Sequence, residues 1–331
     1  MDFVDYLTAL KKNKYVRMLY FRWKTVYLSV KGWIFLFIVK TAPEFHAKRE
    51  IARQNNNVLK QKRLNIREPE NFAEKMLYLK YFVYNKSFKV AQCYNKFEVR
   101  EYIKKKGCEE VLNELYGAWD SIEEIPWESL PDEYVMKVSN GYSNHVFKRK
   151  GQEFSVEDAV QKLKKSLRVS SYYFKISGDL FAYGTKQKII CERMLPSNWG
   201  YVAPEDYKFY CFHGEPKYCE IMWDRYGEGH PYNEVFVDIN MKDCHELEAE
   251  AGKLDETIQF PECMNEMIDY AKRLSQDFPF VRVDFYVTNG RPIFGELTFT
   301  PMHSQTYESM TQLGQLIDIN RIKEYSALFN K

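Results

Sequence analysis

The stretch Phe280–Pro301, FVRVDFYVTNGRPIFGELTFTP, decides the fold because it has the pattern of a β-hairpin. Apolar and polar residues alternate on both sides of the Asn289-Gly290 pair, which is the period-2 pattern of half-buried strands. Several of the polar positions are charged. We therefore expect a hairpin with one face packed on a core and another face that carries functional groups.

The length of the turn decides which side chains share a face of this hairpin. A two-residue turn of Asn289 and Gly290 would place Asp284 and Glu296 on opposite faces of the sheet. A three-residue turn that begins at Thr288, with Gly290 in the left-handed conformation, places both carboxylates on one face. We expect the three-residue turn, because it leaves the other face with apolar side chains and a glycine. The polar face then carries Arg282, Asp284, Glu296 and Thr298.

Two carboxylates on one sheet face are suited to a divalent metal. Diagonal neighbours on a sheet lie roughly 7–8 Å apart, so Asp284 and Glu296 can lean towards one Mg²⁺, which prefers oxygen ligands. The alternative is a solvated face on which Arg282 and Glu296 form only a cross-strand ion pair.

Two other regions carry weaker signals for a nucleotide site. Tyr134–Val138 reads as a strand that contains Lys137, and a polar turn around Gly141 follows it. A lysine at a strand end supplies a point charge, and the amides of the next loop can point at phosphate oxygens. The alternative is a surface lysine before an ordinary turn.

Lys188–Leu195, KIICERML, reads as a short buried strand that ends at Glu192. The carboxylate of Glu192 is suited to bind a nucleotide hydroxyl or an adenine amine. The alternative is a surface carboxylate at the end of a strand. Asp206–Tyr218 reads as a hairpin with a His213-Gly214 turn, in which Lys208 alternates with apolar residues.

The remaining chain is predicted to be mainly helical. The expected helices are Asn65–Tyr84, Tyr94–Lys106, Val156–Val169 and Pro261–Phe278. Lys96 and Arg100 stand four residues apart in the second of these and are interpreted as a solvated basic face. Trp223–Asp255 reads as polar and irregular.

The composition is that of an ordinary globular protein with room for two domains or one large one. The chain has 331 residues, 45% of them hydrophobic, and its net charge of +2 predicts no nucleic-acid partner. Its seven cysteines are scattered without a CxxC pair, which indicates reduced thiols in packing roles. The opening MDFVDYLTAL lacks the apolar core of a cleavable signal, so we expect a cytoplasmic location.

The charge is unevenly distributed. Residues 11–63 hold fourteen Lys and Arg against Glu44 and Glu50, a net charge of +12, so the rest of the chain carries −10. This block contains the apolar run Val26–Val39, which is shorter than the roughly 20 residues of a spanning helix. Two interpretations stay open: a basic amphipathic helix packed on the protein, or a peripheral anchor on an anionic membrane face through residues 11–63.

Taken together, these stretches resemble the TupA-like ATP-grasp family of polysaccharide and teichuronopeptide biosynthesis. The resemblance covers roughly residues 65–325. It rests on LPDEYVMKVSNG, KIICERML, DYKFYCFHGEP and FVRVDFY…GRPIFGELTFTP, and YNKFEVREYI resembles the DKY-x-VREY segment of the family. The resemblance implies an α+β ATP-grasp fold, in which two subdomains grip ATP between antiparallel sheets. The implied parts are a basic helical region (1–64), an N-terminal α+β part (65–130), a nucleotide-clamping subdomain (131–200) and a C-terminal subdomain with the hairpin (201–331).

The resemblance also implies ATP and Mg²⁺ as cofactors and a role for each candidate residue. Lys137 would contact the phosphates, Glu192 would lie at the hinge near adenine and ribose, and Lys208 would face the γ-phosphate. Arg282 would stabilise the transferred phosphoryl group, and it forms the implied catalytic set together with Lys208. The implied nucleotide-binding set is Lys137, Gly141, Ser143, Glu192 and Asp206, and the implied metal ligands are Asp284, Glu296 and Thr298.

Two departures from the family pattern stand out. The hairpin ends Glu296-Leu297-Thr298, where ATP-grasp enzymes usually have Glu-x-Asn, and a threonine hydroxyl can still bind Mg²⁺ or one of its waters. The loop Gly141–Asn144 reads GYSN and lacks the usual second glycine, which a positive φ there would favour.

The implied activity is ATP-dependent carboxylate–amine ligation through an acyl-phosphate. An amino acid or other amine would be joined to a carboxylate-bearing glycan, such as a lipid-linked uronic acid in capsule or O-antigen assembly. A glycosyltransferase and a non-catalytic ATP-grasp scaffold are the alternatives. The first would need a DxD-like metal motif at a strand end, and the sequence shows none.

Overall fold

The fold is described here by a computed structural model. It describes residues 31–53, 65–141, 145–225, 232–247, 251–301, 307–325 and 328–329. Most of the basic block and the loop at 142–144 therefore lie outside the described residues.

The first of two sheets has four antiparallel strands. They are β1 (Leu115–Trp119), β2 (Tyr134–Val138), β3 (Val146–Lys148) and β4 (Ile189–Glu192), in the order β1-β4-β2-β3. The predicted strands around Lys137 and Glu192 are thus confirmed, and they are neighbours in the sheet. A small separate core under this sheet includes Met136, Leu163 and Ile189.

The second sheet has five antiparallel strands. They are β5 (Asp206–Phe212), β6 (Glu215–Trp223), β7 (Asn233–Asp238), β8 (Phe280–Thr288) and β9 (Arg291–Thr298), in the order β7-β6-β5-β8-β9. The predicted His213-Gly214 turn joins β5 to β6, and both of its residues have positive φ. The prediction that Trp223–Asp255 is irregular was wrong for Asn233–Asp238, which pairs with β6 as the edge strand.

Helices pack against the two sheets and connect them. They are α1 (Pro43–Arg53), α2 (Phe72–Tyr78), α3 (Phe88–Tyr94), α4 (Val99–Lys105), α5 (Val156–Ser177), α6 (Met264–Ser275) and α7 (Tyr307–Gln315); residues 31–41 are also helical. A π-helical turn, Leu79–Val83, follows α2, and short 3₁₀ turns occupy Tyr84–Lys86, Glu109–Val111, Ile122–Glu124, Trp127–Ser129, Leu180–Tyr183, His245–Leu247 and Ile319–Glu324.

Local hydrogen bonds explain why several predicted helix bounds were wrong. Asn71 and Glu74 form a capping box, so the helix expected from Asn65 begins only at Phe72. Asn95 caps the end of α3, and its side chain accepts hydrogen bonds from Phe97 N and Glu98 N, so the helix expected over 94–106 begins only at Val99. The helix expected to end at Val169 runs on to Ser177, where Gly178 takes the left-handed conformation.

The β8–β9 hairpin confirms the shared face of its carboxylates but not the predicted turn. Thr288 pairs with Arg291, so the turn is the two-residue Asn289-Gly290 turn, with φ of 52° and 70°. A β-bulge restores the register, because Phe285 pairs with Phe294 while Asp284 pairs with Glu296. Gly295 is the extra residue of the bulge. Asp284 and Glu296 are therefore directly opposite each other.

The main core joins the second sheet to the helices that precede the first sheet. Tyr84 Oη donates to the carbonyl of Phe280 at 2.7 Å, and Tyr102 Oη donates to that of Leu274 at 2.9 Å. All seven cysteines are free thiols, and six of them are buried, in line with packing roles. No helix within the described ranges is long and apolar enough to cross a membrane. The observed architecture is α+β, as predicted.

Candidate functional site

A cavity of about 560 Å³ lies between the two sheets. Both sheets contribute to its walls, and so does the segment around Lys96 that precedes α4. Nine of the ten residues predicted to form a site line it; the tenth, Ser143, lies outside the described residues. The nine are Lys137, Gly141, Glu192, Asp206, Lys208, Arg282, Asp284, Glu296 and Thr298.

Arg282 and Asp284 form a buried bidentate ion pair on β8. Arg282 Nε donates to Asp284 Oδ1 at 2.8 Å and Nη2 donates to Oδ2 at 2.7 Å. Burial raises the pKa of the Asp284 carboxyl to about 7, the nearby charges of Asp206 and Glu296 add to the rise, and Arg282 opposes it. The arginine is thus held in the cavity wall by two hydrogen bonds to one carboxylate.

Glu296 on β9 accepts from residues of two different elements. Lys96 Nζ lies 3.1 Å from Glu296 Oε2, and Thr298 Oγ1 donates to Glu296 Oε1 at 3.3 Å. Burial acts to raise the pKa of Glu296, but the positive charges of Lys96 and Arg282 outweigh it and lower the pKa to about 2. Glu296 is therefore an anion throughout the physiological range.

Lys208 on β5 is buried among acidic side chains. Its Nζ lies 3.2 Å from Asp206 Oδ2 and 3.5 Å from Glu220 Oε1, and Arg225 Nη1 lies 3.1 Å from Asp206 Oδ2. Burial acts to lower the pKa of Lys208, but Asp206 and Glu220 outweigh it, so the net shift of the pKa is upwards. Lys208 is therefore a fixed positive charge opposite Asp284, with which it pairs across the strands.

The first sheet forms the other wall of the cavity. Glu192 at the end of β4 lies 3.1 Å from Lys137 Nζ and 3.5 Å from Arg100 Nη1. Apolar side chains of Val135, Met194 and Leu195 line the cavity beside it. An apolar slot that ends in a carboxylate is suited to a flat ring with an exocyclic donor.

Sequence reasoning missed two cationic residues of this site. Lys96 was interpreted as part of a solvated helical face, but it precedes α4, and only 16% of its side chain is exposed. Arg100 lies on α4 and reaches Glu192 and the carbonyl of Asn113 instead of solvent. Their spacing in YNKFEVREYI was visible, yet spacing alone cannot show that a segment 180 residues from the hairpin packs against it.

Arg225 and His145, which line the cavity, were also missed. Arg225 follows β6 and pairs with Asp206. His145 is half-buried in the cavity wall, and desolvation together with the charges of Lys137 and Lys96 lowers its pKa to about 3, so it is a neutral imidazole. Neither residue belongs to a sequence pattern that would have indicated the cavity.

The donors in the cavity fit a Mg²⁺ ion held jointly by protein and phosphate. Asp284 and Glu296 supply carboxylate oxygens on one face, and the hydroxyl of Thr298 lies beside them. No cluster of three His, Cys, Asp or Glu residues in the described part of the chain could hold a metal alone. Mg²⁺ commonly takes one or two carboxylates and completes its shell with water and substrate phosphates. Asp206 Oδ1 is buried and receives no hydrogen bond from the described residues, which leaves one more oxygen for a cation.

Comparison with known proteins gives a family and a set of similar folds. A family model described as TupA-like ATPgrasp matches residues 74–317. Among curated proteins, no sequence matches.

Several solved structures align at low identity. D-alanine–D-alanine ligase from Bacillus anthracis in complex with ATP is 12% identical, with a TM-score of 0.43 over 72% of this chain and 69% of that one. The ATP-grasp ligase PsnB in complex with its minimal precursor is 11% identical, with a TM-score of 0.40 over 73% and 67%. D-alanyl-alanine synthetase A from Vibrio cholerae is 10% identical, also with a TM-score of 0.40 over 73% and 67%.

Proposed function

This chain belongs to the TupA-like ATP-grasp family, and from that premise we propose that it is an ATP-dependent carboxylate–amine ligase. ATP would phosphorylate a carboxylate, which gives an acyl-phosphate and ADP. An amine would then attack the acyl carbon, and the bond to phosphate would break, leaving an amide and inorganic phosphate. The observation that carries this proposal is the cavity between the two sheets, which joins an apolar slot to a cluster of fixed charges.

The first wall of the cavity is suited to the nucleoside part of ATP. Val135, Met194 and Leu195 offer apolar contact to adenine, and Glu192 offers a carboxylate to its amine or to a ribose hydroxyl. Lys137 also lines the cavity, with its Nζ 3.1 Å from Glu192 Oε2, and its ammonium would bind a phosphate. The nucleotide would thus lie across the sheets with its phosphates directed at β8 and β9.

The second wall is suited to phosphoryl transfer, which needs positioning and charge neutralisation more than covalent help from the protein. Lys208 and Arg282 are rigid cations because each is buried and ion-paired. Lys208 would hold the γ-phosphate, and the fork of Arg282 would bind the transferred phosphoryl oxygens. Mg²⁺, held by Asp284, Glu296 and Thr298, would neutralise phosphate charge when bound.

The substrates that we propose are an amino acid or similar amine and a carboxylate-bearing glycan, such as a uronic acid in capsule or O-antigen assembly. The family description supports the ATP-grasp chemistry, and the glycan is suggested by the polysaccharide setting that the sequence resemblance implies. We expect the acceptor to be selected by residues around Tyr142–His145 and Met302–Tyr307, most of which lie outside the described residues.

Titration calorimetry with Mg·ATP is the first test, with Glu296→Gln as the matched variant. We expect binding that requires Mg²⁺ and weakens at least about tenfold in the variant, because the substitution removes one of the two carboxylate ligands that we propose for the metal. ADP release on adding amino acids together with uronic acids would then identify the reaction. No Mg-dependent binding would favour a non-catalytic scaffold, and hydrolysis of a sugar nucleotide in preference to ATP would favour a glycosyltransferase.

A further inference from the structure

The helical stretch 31–53 is apolar on two faces, and only one of them is covered by the described protein. Ala42 is the one residue of this stretch outside regular helix. Helical hydrogen bonds continue across it, from Ala42 N to Ile38 O at 2.7 Å and from His46 N to Ala42 O at 3.1 Å. A continuous helix keeps residues four apart on the same face. The side chains of this stretch therefore fall into an inner face and an outer face.

The inner face holds the stretch against the body of the protein. Phe35, Val39, His46 and Ala47 are all buried. The ring of His46 hydrogen-bonds to Tyr81 Oη at 2.7 Å, and it meets the ring of Phe35 edge-on. This face accounts for the docking of the helix, so the docking does not require the apolar residues on the other side.

The outer face presents large apolar side chains to solvent. Trp33 is 63% exposed, Phe37 67% and Phe45 61%, which are the three highest values for large hydrophobic residues in the described ranges. Ile34 is 53% exposed beside them. Trp33, Ile34 and Phe37 lie on one side of the helix, and Phe45 follows about two turns further on. Together they form an exposed apolar stripe, and such a patch marks an interaction site rather than ordinary surface.

The charge beside the stripe identifies the kind of partner. Lys40 and Lys48 are exposed and lie between and after the aromatic positions. They belong to the block 11–63, whose net charge is +12 in a chain of +2. Aromatic side chains flanked by lysines are the pattern of a helix that lies in the interface of an anionic bilayer. A protein partner would need no such excess of cations over so long a segment.

We propose that the outer face of 31–53, formed by Trp33, Ile34, Phe37 and Phe45 with Lys40 and Lys48, lies on an anionic lipid surface. The aromatic and aliphatic side chains enter the boundary between headgroups and acyl chains, and the lysines contact the headgroup charges. The helix lies in the plane of the interface and leaves its inner face on Tyr81. This proposal is independent of the ligase activity.

Co-sedimentation of the full chain with lipid vesicles tests it. The vesicles are pure phosphatidylcholine, and phosphatidylcholine with about one third phosphatidylglycerol. We expect partition at least about tenfold stronger onto the anionic vesicles, and weaker partition at high salt, because headgroup attraction is screened within a Debye length.

Two variants of the stripe and one control separate the apolar contribution to vesicle binding from the electrostatic one. The triple variant Ile34→Ser, Phe37→Ser, Phe45→Ser should lose partition by at least about 100-fold, from the apolar area it no longer buries. The double variant Lys40→Gln, Lys48→Gln should lose roughly 30-fold on anionic vesicles only. Phe88→Ser is the control, since Phe88 is 56% exposed on a different helix, α3, and it should change partition onto neither kind of vesicle.

Other occupants of the face give other results. A triple variant that binds vesicles as the parent does, or a parent that ignores anionic vesicles, overturns the proposal. If the parent is a dimer at micromolar concentration and the triple variant is a monomer, a second copy covers the face instead. If the triple variant unfolds at a lower temperature than Phe88→Ser, residues of the chain itself cover it, which also overturns the proposal.

Discussion

Lys96 Nζ lies 3.1 Å from Glu296 Oε2, and this ion pair joins the segment before α4 to the β8–β9 hairpin. The same ammonium lies 3.5 Å from the carbonyl of Gly141, at the start of the loop that follows β2. One lysine therefore contacts both walls of the cavity from a third element. Its charge also contributes most among the neighbouring groups to keeping Glu296 ionised.

Lys96→Met should weaken Mg·ATP binding by roughly tenfold. The variant removes a positive charge from a cavity that is expected to hold a polyanion, and a hydrogen bond to a charged group contributes roughly 1.5–3 kcal/mol. The removal also relaxes the link between Gly141 and the hairpin. Titration calorimetry on the purified variant measures the loss directly.

Lys104→Met is the matched control for this change. Lys104 lies on α4, pairs with Glu101 three residues away, and has a side chain that is 54% exposed. A surface pair of this kind contributes about 0–1 kcal/mol, so ATP affinity should not change. Equal affinities for Lys96→Met and the parent would show that Lys96 is only a structural link.

The affinity for Mg·ATP should depend on pH near neutrality. Burial raises the pKa of Asp284 to about 7, and a carboxyl must lose its proton before it can bind a metal. Protons therefore compete with the metal below about pH 7, and affinity should rise with pH by up to about tenfold per unit from pH 6 to pH 7. Above this range the dependence should level off.

The variant Glu296→Gln provides the comparison for the pH profile. The pKa of Glu296 is lowered to about 2, so its own protonation does not contribute between about pH 6 and pH 8. The variant should bind more weakly at every pH, and its pH dependence should move to lower pH, because the charge of Glu296 helps to raise the pKa of Asp284. A parent affinity that stays constant across this range would contradict a metal-binding role for a partly protonated Asp284.

Lys208→Met should destabilise the protein by roughly 3–5 kcal/mol, because it leaves the buried carboxylates of Asp206 and Glu220 short of a cation. Urea unfolding followed by far-UV circular dichroism measures the loss. The double variant Lys208→Met, Glu220→Gln removes one of the two charges and should recover part of the lost stability. If the single variant loses less than about 1 kcal/mol, the three groups do not act as a charge network.

Part of this site could be predicted from the sequence, because local patterns indicated the strands that carry several of its residues. Lys137, Glu192 and Lys208 each lie on a strand that was predicted from the sequence, and antiparallel pairing then brings them to one cavity. Lys96 could not be recognised in this way, because its position depends on packing between segments far apart in the chain.

The β7 strand and the bulge were missed for local reasons. Asn233–Asp238 is a short edge strand after the polar stretch 226–231, and six residues carry too little alternation to be separated from loop. The bulge at Gly295 was not predicted, because the extra residue shows in the pairing of the two strands and not in the alternation of either strand by itself. The three-residue turn that we predicted would have shifted the pairing of the strands by one residue. The bulge at Gly295 produces the same shift, so Asp284 and Glu296 share a face although the predicted turn was wrong.

Gly295→Ala should weaken Mg·ATP binding by at least about tenfold, while Gly290→Ala should leave it unchanged. A Cβ at Gly295 would meet the carbonyl oxygen of Asp284 at 3.0 Å, so the backbone of Asp284 has to shift by a few tenths of an ångström relative to Glu296. Gly290 has a φ of +70° with open space around it, so alanine there strains only the turn. Both variants should lose roughly 1–2 kcal/mol of stability in urea unfolding, which makes each the stability control for the other. Equal ATP affinities in the two variants would show that the bulge does not set the spacing of the carboxylates.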